Sequence, residues 1–499
     1  MNISSPYQTL ENLFRETALI GEAMSVLHWD MAVMMPRGGF EARGEQLAAL
    51  KVIEHTKAVD PKIGDLLNQA EETAASELNE WQQANLKEMR RGYVHATALK
   101  ADLVEAHSIA CSNCESIWRE AKKESDFNAV LPALQEVLDL SIQVGEAKAD
   151  KLGLSLYNAL LDQYEPDGRA EEIAPIFEDY AAFLPEFLTE VIDKQSQLGP
   201  KPVTRGPFSV DIQRQITKKF AETVGFDFEA GRLDESAHPF STGHRGDQRI
   251  TVRYEEDTFG PGLMAVLHEC GHAMYEKGLP KEWALQPVGE SRGMAIHESQ
   301  SLIVEMQACR SREFYQWAAP VLQAAFGQVE GFGIDELHRD AIWVEPGFIR
   351  VDADEVTYPA HVILRFQLEQ ALLNGDMKLT DLPAAWNEGM EKLLGITPPN
   401  HALGCMQDIH WFDGAWGYFP TYTLGAMSAA QLFQAANEAR PEIKTEIGKG
   451  NFEPLMSWLG ENIHQKASRY SSQELMKQAT GRVLDPTAFK NHLTTRYLG

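Results

Sequence analysis

Apolar residues recur three and four positions apart through most of the chain. That spacing predicts amphipathic helices over residues 8–32, 40–57, 63–94, 96–125 and 131–150, and again over 171–197. Pro36 with Gly38 and Gly39 punctuates the first pair, and Pro132 suits the first turn of its helix. Residues 150–170 read as loop. Gly199-Pro200 and Gly206-Pro207 mark one candidate boundary near 200. A helix follows at 209–224, then a Gly/His/Asp-rich stretch at 231–249. The alternating, β-branched run 249–255 predicts a short strand. Further helices are predicted at 260–277, 291–315, 356–374 and 382–394, another begins near 422, and several more close the chain. No fixed-period repeat or low-complexity tract interrupts the pattern. It implies a mainly α fold with a small β-sheet.

Composition narrows the setting. The chain has 499 residues, 44% of them hydrophobic, which is ample for a buried core. Asp plus Glu number 73 against 45 Lys plus Arg, a net charge of −28. Such a surface repels phosphate backbones, so nucleic acid is not an expected partner. No apolar run reaches the roughly 18 residues that span a bilayer, so no membrane segment is expected. The first residues carry acids early and no basic stretch before an apolar one, unlike a signal peptide. Five scattered cysteines do not make a disulfide framework, which favours a reducing cytoplasm. Cys111-x-x-Cys114 has no second pair to complete a metal site.

The chemistry lies in residues 263–278, LMAVLHECGHAMYEKG. They contain His268, Glu269 and His272 in the spacing His-Glu-x-x-His. Positions i and i+4 share one helix face, so two imidazoles there can grip one tetrahedral zinc. Glu269 is swung about 100° from His268. It points away from shared ligation but toward a water beside the ion, where a carboxylate can act as general base for peptide hydrolysis. Gly271 between the two histidines lets another backbone approach closely.

The third ligand must come from elsewhere. The segment 288–305 offers Glu290, His297, Glu298 and Glu305. Glu290 falls beside Gly289 at the start of its helix, where acids are commonly solvated. Glu298 lies mid-helix and is preferred, although periodicity does not separate it from His297.

Seven motifs occur in order along nearly the whole chain: LHWDMAVMMP (27–36), HPF (238–240), DQRIT (247–251), the His268–His272 motif, HESQ (297–300), IRVDAD (349–354) and GCMQDIHW (404–411). Together they resemble the carboxypeptidase Taq family of metallocarboxypeptidases. The resemblance implies a helical zinc peptidase with a deep substrate groove and the small sheet near the active site. It implies a Zn2+ enzyme, with Co2+ as a possible substitute, that removes single residues from peptide C-termini with broad specificity and forms a homodimer. The family's metal ligands map onto His268, His272 and Glu298, with Glu269 as catalytic acid/base. Residues 1–499 are then one peptidase unit, with 1–200 as a helical wall of the groove and 201–499 carrying the zinc.

The other motifs need roles. A free α-carboxylate is best met by arginine, whose fork makes two bonds to it. Arg350 in IRVDAD is the first candidate, its alternative being a salt bridge to Asp352 or Asp354. Arg249 in DQRIT is the second. Related helical zinc peptidases place a His and a Tyr about twelve residues apart to bond the tetrahedral oxyanion, and His410 and Tyr422 fit that spacing. Tyr418 either assists substrate or packs in the core. His238, before a proline in a polar loop, either lines the substrate groove or caps a turn. The rival functions are an endo-acting oligopeptidase with the same metal chemistry and a catalytically silent peptide-binding protein. An intact Glu269 argues against the second.

Overall fold

The computed structural model describes residues 5–244, 246–327 and 329–499. The chain folds into two compact units that do not follow chain order. One comprises Met1–Ala96, Lys201–Ala341 and Ser428–Leu484, the other Thr97–Pro200, Ile342–Met427 and Asp485–Gly499. The break predicted near 200 is one of five places where the chain passes between them. Helices dominate both, and the described residues form one three-stranded sheet. Among the described residues no helix is long and apolar enough to cross a membrane.

In the first unit, helices Pro6–Val33, Pro61–Glu77 and Glu80–Thr97 share a small core of Tyr7, Leu10, Ile63, Leu67, Ala70, Leu86 and Met89. Apolar spacing predicts a single helix over 63–94, but Asn79 divides it. The Asn79 side chain accepts from the Gln82 amide, and the Gln82 side chain accepts from the Asn79 amide, both at 3.0 Å. This reciprocal cap starts a new helix whatever the hydrophobic period says.

The sheet has order β1-β3-β2, with β1 Gly231–Glu235, β2 Ser241–His244 and β3 Asp247–Val252. β1 runs parallel to β3 and β2 antiparallel. The predicted strand is β3, begun two residues earlier and ended three earlier than expected. Its partners escaped the periodicity because their Gly, His and Asp residues show no alternation. β3 buries Ile250 and Val252 completely and packs on the helix Gly260–Gly278.

That helix opens on Pro261 and buries Leu263, Val266, Leu267, Cys270 and Ala273. The helix predicted at 291–315 is three pieces: Met294–Leu302, a π-helical turn Ile303–Ala308, and Arg312–Phe326. The last restarts because Ser311 accepts the Phe314 amide. Helices Gly260–Gly278 and Met294–Leu302 cross at Gly271. A Cβ there would lie 2.4 Å from the Gln300 carbonyl oxygen and 2.5 Å from Ser301 Cα, so only glycine allows the contact.

The second unit is built on helices Ala101–Glu124, Phe127–Leu152, Ala170–Gln197, Tyr358–Leu373 and Leu382–Leu394. The predicted loop 150–170 contains a short helix, Leu156–Leu161, capped by Ser155. Tyr157 and Phe177 meet Phe366 edge-on, at 5.7 and 5.1 Å between centroids. The fully buried Glu369 accepts from the Tyr157 hydroxyl and Trp411 indole at 2.9 Å, and from the Gly417 amide. Those bonds pin the loop that carries the GCMQDIHW motif.

Candidate active site

In the first unit the helices crossing at Gly271 bring His268, His272 and Glu298 together. One ligand atom from each lies within 4.8 Å of the others. Glu298 Oε2 is 3.4 Å from His272 Nε2 and 3.8 Å from His268 Nε2. The two rings stand nearly perpendicular, 4.9 Å apart, as the i, i+4 spacing requires. Two imidazole nitrogens and one carboxylate oxygen converging on one point fit a divalent cation. Glu290 is exposed and lies outside this group. It lines a cavity of about 950 Å³ together with Glu276, Ser291 and His297.

Each histidine is also held at its outer nitrogen. His268 Nδ1 lies 3.0 Å from Glu305, which accepts from Arg310 at 2.6 Å. His272 Nδ1 lies 2.6 Å from His297 Nδ1, and His297 Nε2 lies 2.9 Å from Glu276. The Ser291 hydroxyl donates to the same Glu276 oxygen. His297 and Glu305, open as ligands in the sequence, thus sit outside the ligand group. Glu276 and Arg310 were not anticipated. Glu276 lies four residues past His272 on the same helix face, a signal available in the sequence.

Burial dominates the electrostatics of the site. Burial works against a charged His268, but Glu298, Glu305 and Glu269 outweigh it and raise its pKa. Burial lowers that of His272. Burial likewise opposes charge on Glu298, yet His268 and His272 hold its carboxyl below the usual range. Glu269 is 7% exposed. Burial pushes its carboxyl up to about 7, against the pull of His268.

His238 and Arg249 belong to the same unit, near the sheet. His238 is exposed. Arg249 pairs with Asp247 through two bonds of 2.8 Å, and its guanidinium lies 4.2 Å from the Trp29 ring centroid. Arg232 lies 4.4 Å from the same ring. Trp29 of the LHWDMAVMMP motif therefore ties the first helix to the sheet.

Arg350, His410, Tyr418 and Tyr422 gather in the second unit. Arg350 is buried and donates Nε and Nη2 to Asp408, at 3.1 and 2.9 Å, and Nη1 to the Tyr358 hydroxyl at 2.9 Å. The partner is thus neither Asp352 nor Asp354, the two acids offered by the alternative reading of Arg350. Asp352 is exposed, and Asp354 accepts backbone bonds from Glu345, Val356 and Thr357. Asp408 also accepts from the fully buried Arg365 at 2.7 Å. Burial opposes its ionisation, but Arg365 and Arg350 hold it far below the usual carboxylate range. His410 Nε2 lies 3.4 Å from the Tyr422 hydroxyl. Burial and the Arg350 charge push the His410 pKa down to about 4, so the ring is neutral near pH 7. Tyr418 is half-buried, edge-on to Tyr164 at 5.0 Å.

Known proteins resemble this chain over nearly all of their length. The sequence matches the family described as carboxypeptidase Taq (M32) metallopeptidase over residues 9–497. Thermostable carboxypeptidase 1 of Thermus thermophilus is 37% identical, over 100% of this chain and 99% of that one. Its namesake from Pyrococcus furiosus is 33% identical over 97% of each. The solved structure of Trypanosoma cruzi metallocarboxypeptidase 1 superimposes with a TM-score of 0.97 at 38% identity, covering 99% of both chains. Matches of this extent and identity place the chain in the carboxypeptidase Taq (M32) metallopeptidase family.

Proposed function

We propose that this metallocarboxypeptidase releases single C-terminal residues from peptides of broad sequence, with Zn2+ held by His268, His272 and Glu298 and with Glu269 as general base. The observation that carries this is the convergence of those three side chains beside the buried carboxyl of Glu269. His268, His272 and Glu298 would hold a divalent ion, which when bound would supply a Lewis acid for the scissile carbonyl and for water. Glu269 takes the proton from the attacking water and delivers it to the leaving amine. Co2+ is a suitable substitute for the same donor set.

For the second unit, roles are proposed from each group's own chemistry. Neutral His410 and Tyr422 are donors for developing negative charge on the substrate oxygen. Two guanidinium groups around one carboxylate leave the Arg350–Asp408–Arg365 group with a net positive charge. Three of Arg350's five N–H groups are engaged, and we assign the other two to the free α-carboxylate. Tyr418, His238 and Arg249 are proposed as substrate-groove residues. A homodimer in the cytoplasm is the proposed setting, with residues 1–200 as the groove wall.

The test compares peptides ending in a free acid with the same peptides as C-terminal amides, on metal-loaded enzyme. Release of one residue at a time from the acids alone is expected. Internal cleavage of both would replace this reading with the endo-acting oligopeptidase.

A further inference from the structure

Arg350 turns two edges of its fork to one acid. It donates Nε and Nη2 to Asp408 at 3.1 and 2.9 Å, a two-bonded pair in which a unit charge meets its opposite. Such a pair is neutral as a whole, and a neutral pair is a poor anchor for a second carboxylate. Arg350 can hold a substrate acid strongly only if something else also draws on the charge of Asp408.

Arg365 meets that need. Its Nε and Nη2 lie 2.7 and 2.5 Å from Asp408 Oδ2, the same oxygen that accepts Arg350 Nε. Its Nη1 donates to the His361 carbonyl at 2.7 Å, one turn back on the helix Tyr358–Leu373. The guanidinium lies 4.4 Å from the Trp386 ring centroid and 5.2 Å from that of Phe419. Arg365 is 0% exposed, so it is closed to substrate and can act only through Asp408. Two further charged groups of this unit bond elsewhere. Lys122 donates to the Gln407 carbonyl at 2.8 Å, and Glu369, one turn beyond Arg365, accepts from Tyr157, Trp411 and Gly417. Burial and the two guanidinium groups push the His361 ring down to about 3, so it adds no charge near neutrality.

We infer that Arg365 is a positioning residue that sets the selectivity for a free C-terminal acid: by drawing on Asp408, it leaves Arg350 oriented by that acid but not neutralised by it. The inference rests on the role proposed above for Arg350. Two tasks are thereby divided. Asp408 fixes the direction of the Arg350 fork, and Arg365 offsets the charge that this fixing introduces. A core contact alone would not require the arrangement. Buried ionic groups are often replaced by apolar ones of similar volume without loss of stability, and the rings of Trp386 and Phe419 would pack against a long apolar side chain at 365.

The test measures kcat and KM separately on the metal-loaded full chain, with peptides ending in a free acid. Arg365→Met keeps the length and removes the charge. It should raise KM roughly 10–100-fold, the worth of a charge-assisted bond, and leave kcat nearly unchanged. Arg365→Lys keeps the charge and should stay within a few-fold of wild type. The double variant Arg365→Met with Asp408→Asn is the deciding arm. Asn keeps an acceptor oxygen for Arg350 but takes away the charge that Arg365 offsets, so KM should return to within a few-fold of wild type. A merely structural Arg365 predicts the opposite, a double variant at least as impaired as the single one. Thermal melts of each variant report any fold defect. Should Met at 365 prevent folding, Arg365→Gln removes the charge while keeping a donor for Asp408, and carries the same expectation. Wild-type KM in Arg365→Met or Arg365→Gln, or no recovery in the double variant, would overturn the inference. Arg350→Ala is the separate control: if it leaves KM for the acids unchanged, the role of Arg350 itself fails.

Discussion

His297 and Glu298 are consecutive residues that address the same imidazole from opposite ends. Glu298 Oε2 lies 3.4 Å from His272 Nε2, and His297 Nδ1 lies 2.6 Å from His272 Nδ1. Glu298 faces the ligand nitrogens, whereas Glu290 lies outside the group, so the two acids predict different losses. Glu298→Ala removes a ligand and should abolish retention of metal through dialysis against a chelator. Glu290→Ala, on the cavity wall, should retain it. Metal analysis of the dialysed proteins decides, and metal loss in the Glu290 variant would reassign the ligand.

Glu269→Gln should bind metal like wild type and lose nearly all turnover. The amide is close in shape but takes no proton from water. Metal content measured beside peptide hydrolysis separates the two properties. Near wild-type activity would remove the general-base role.

Gly271→Ala should cost both stability and metal. The added Cβ meets the backbone of Gln300 and Ser301 rather than a flexible side chain. The helix bearing Glu298 must then shift. Overpacking of this kind costs about 1–3 kcal/mol, visible in a thermal melt. Metal affinity should fall with it, since Glu298 moves with that helix. An unchanged affinity would mean that the crossing does not set the ligand distance.

Arg350→Ala separates a substrate role from a structural one, because Asp408 keeps Arg365 as a partner. Losing a charge-assisted pair with the substrate should lower kcat/KM for free peptides about 10–100-fold. Peptide amides, which bring no charge, should lose less. Equal losses would leave Arg350 as a partner of Asp408 only. Asp408→Asn, by contrast, strands two buried guanidinium groups and should cost about 3–5 kcal/mol of stability.

Glu369 should make stability fall as pH rises. Burial pushes its carboxyl up to about 7 from an ordinary 4.5, against the bonds from Trp411, Tyr157 and Gly417. Between those values the folded chain holds a proton that the unfolded chain releases. Stability is therefore greatest below pH 4.5 as far as this group is concerned, and about 3 kcal/mol of it is lost by pH 7. Glu369→Gln should flatten that portion of the profile, measured by denaturant melts across the range. An unchanged slope would assign it to other groups.

How much of this was legible follows from the range of each interaction. The His268–His272 pair is written in a four-residue spacing, and Gly271 marks the crossing. The cap at Asn79 was equally local, but the apolar period over 63–94 masked it. Glu298 and His297 occupy adjacent positions, and only the approach of a second helix tells them apart. The π-helical turn at Ile303–Ala308 leaves no mark in a periodicity set for 3.6 residues per turn. Asp408 lies 58 residues from Arg350. Local spacing instead suggested Asp352 and Asp354, which are near in sequence and engaged elsewhere or exposed.

The interleaving of the two units sets a timetable for synthesis. Gln300, beside the Gly271 crossing, meets its partner His464 across 164 residues. Ser468 likewise closes onto Val288. At roughly 5–20 residues per second a ribosome needs on the order of ten to thirty seconds to supply that partner. During that interval His268, His272 and Glu298, the proposed metal ligands, are already out of the peptidyl-transferase centre, while the final segment of their own unit does not yet exist. Maturation of the metal centre is thus tied to a late stretch of the chain that contributes none of its ligands.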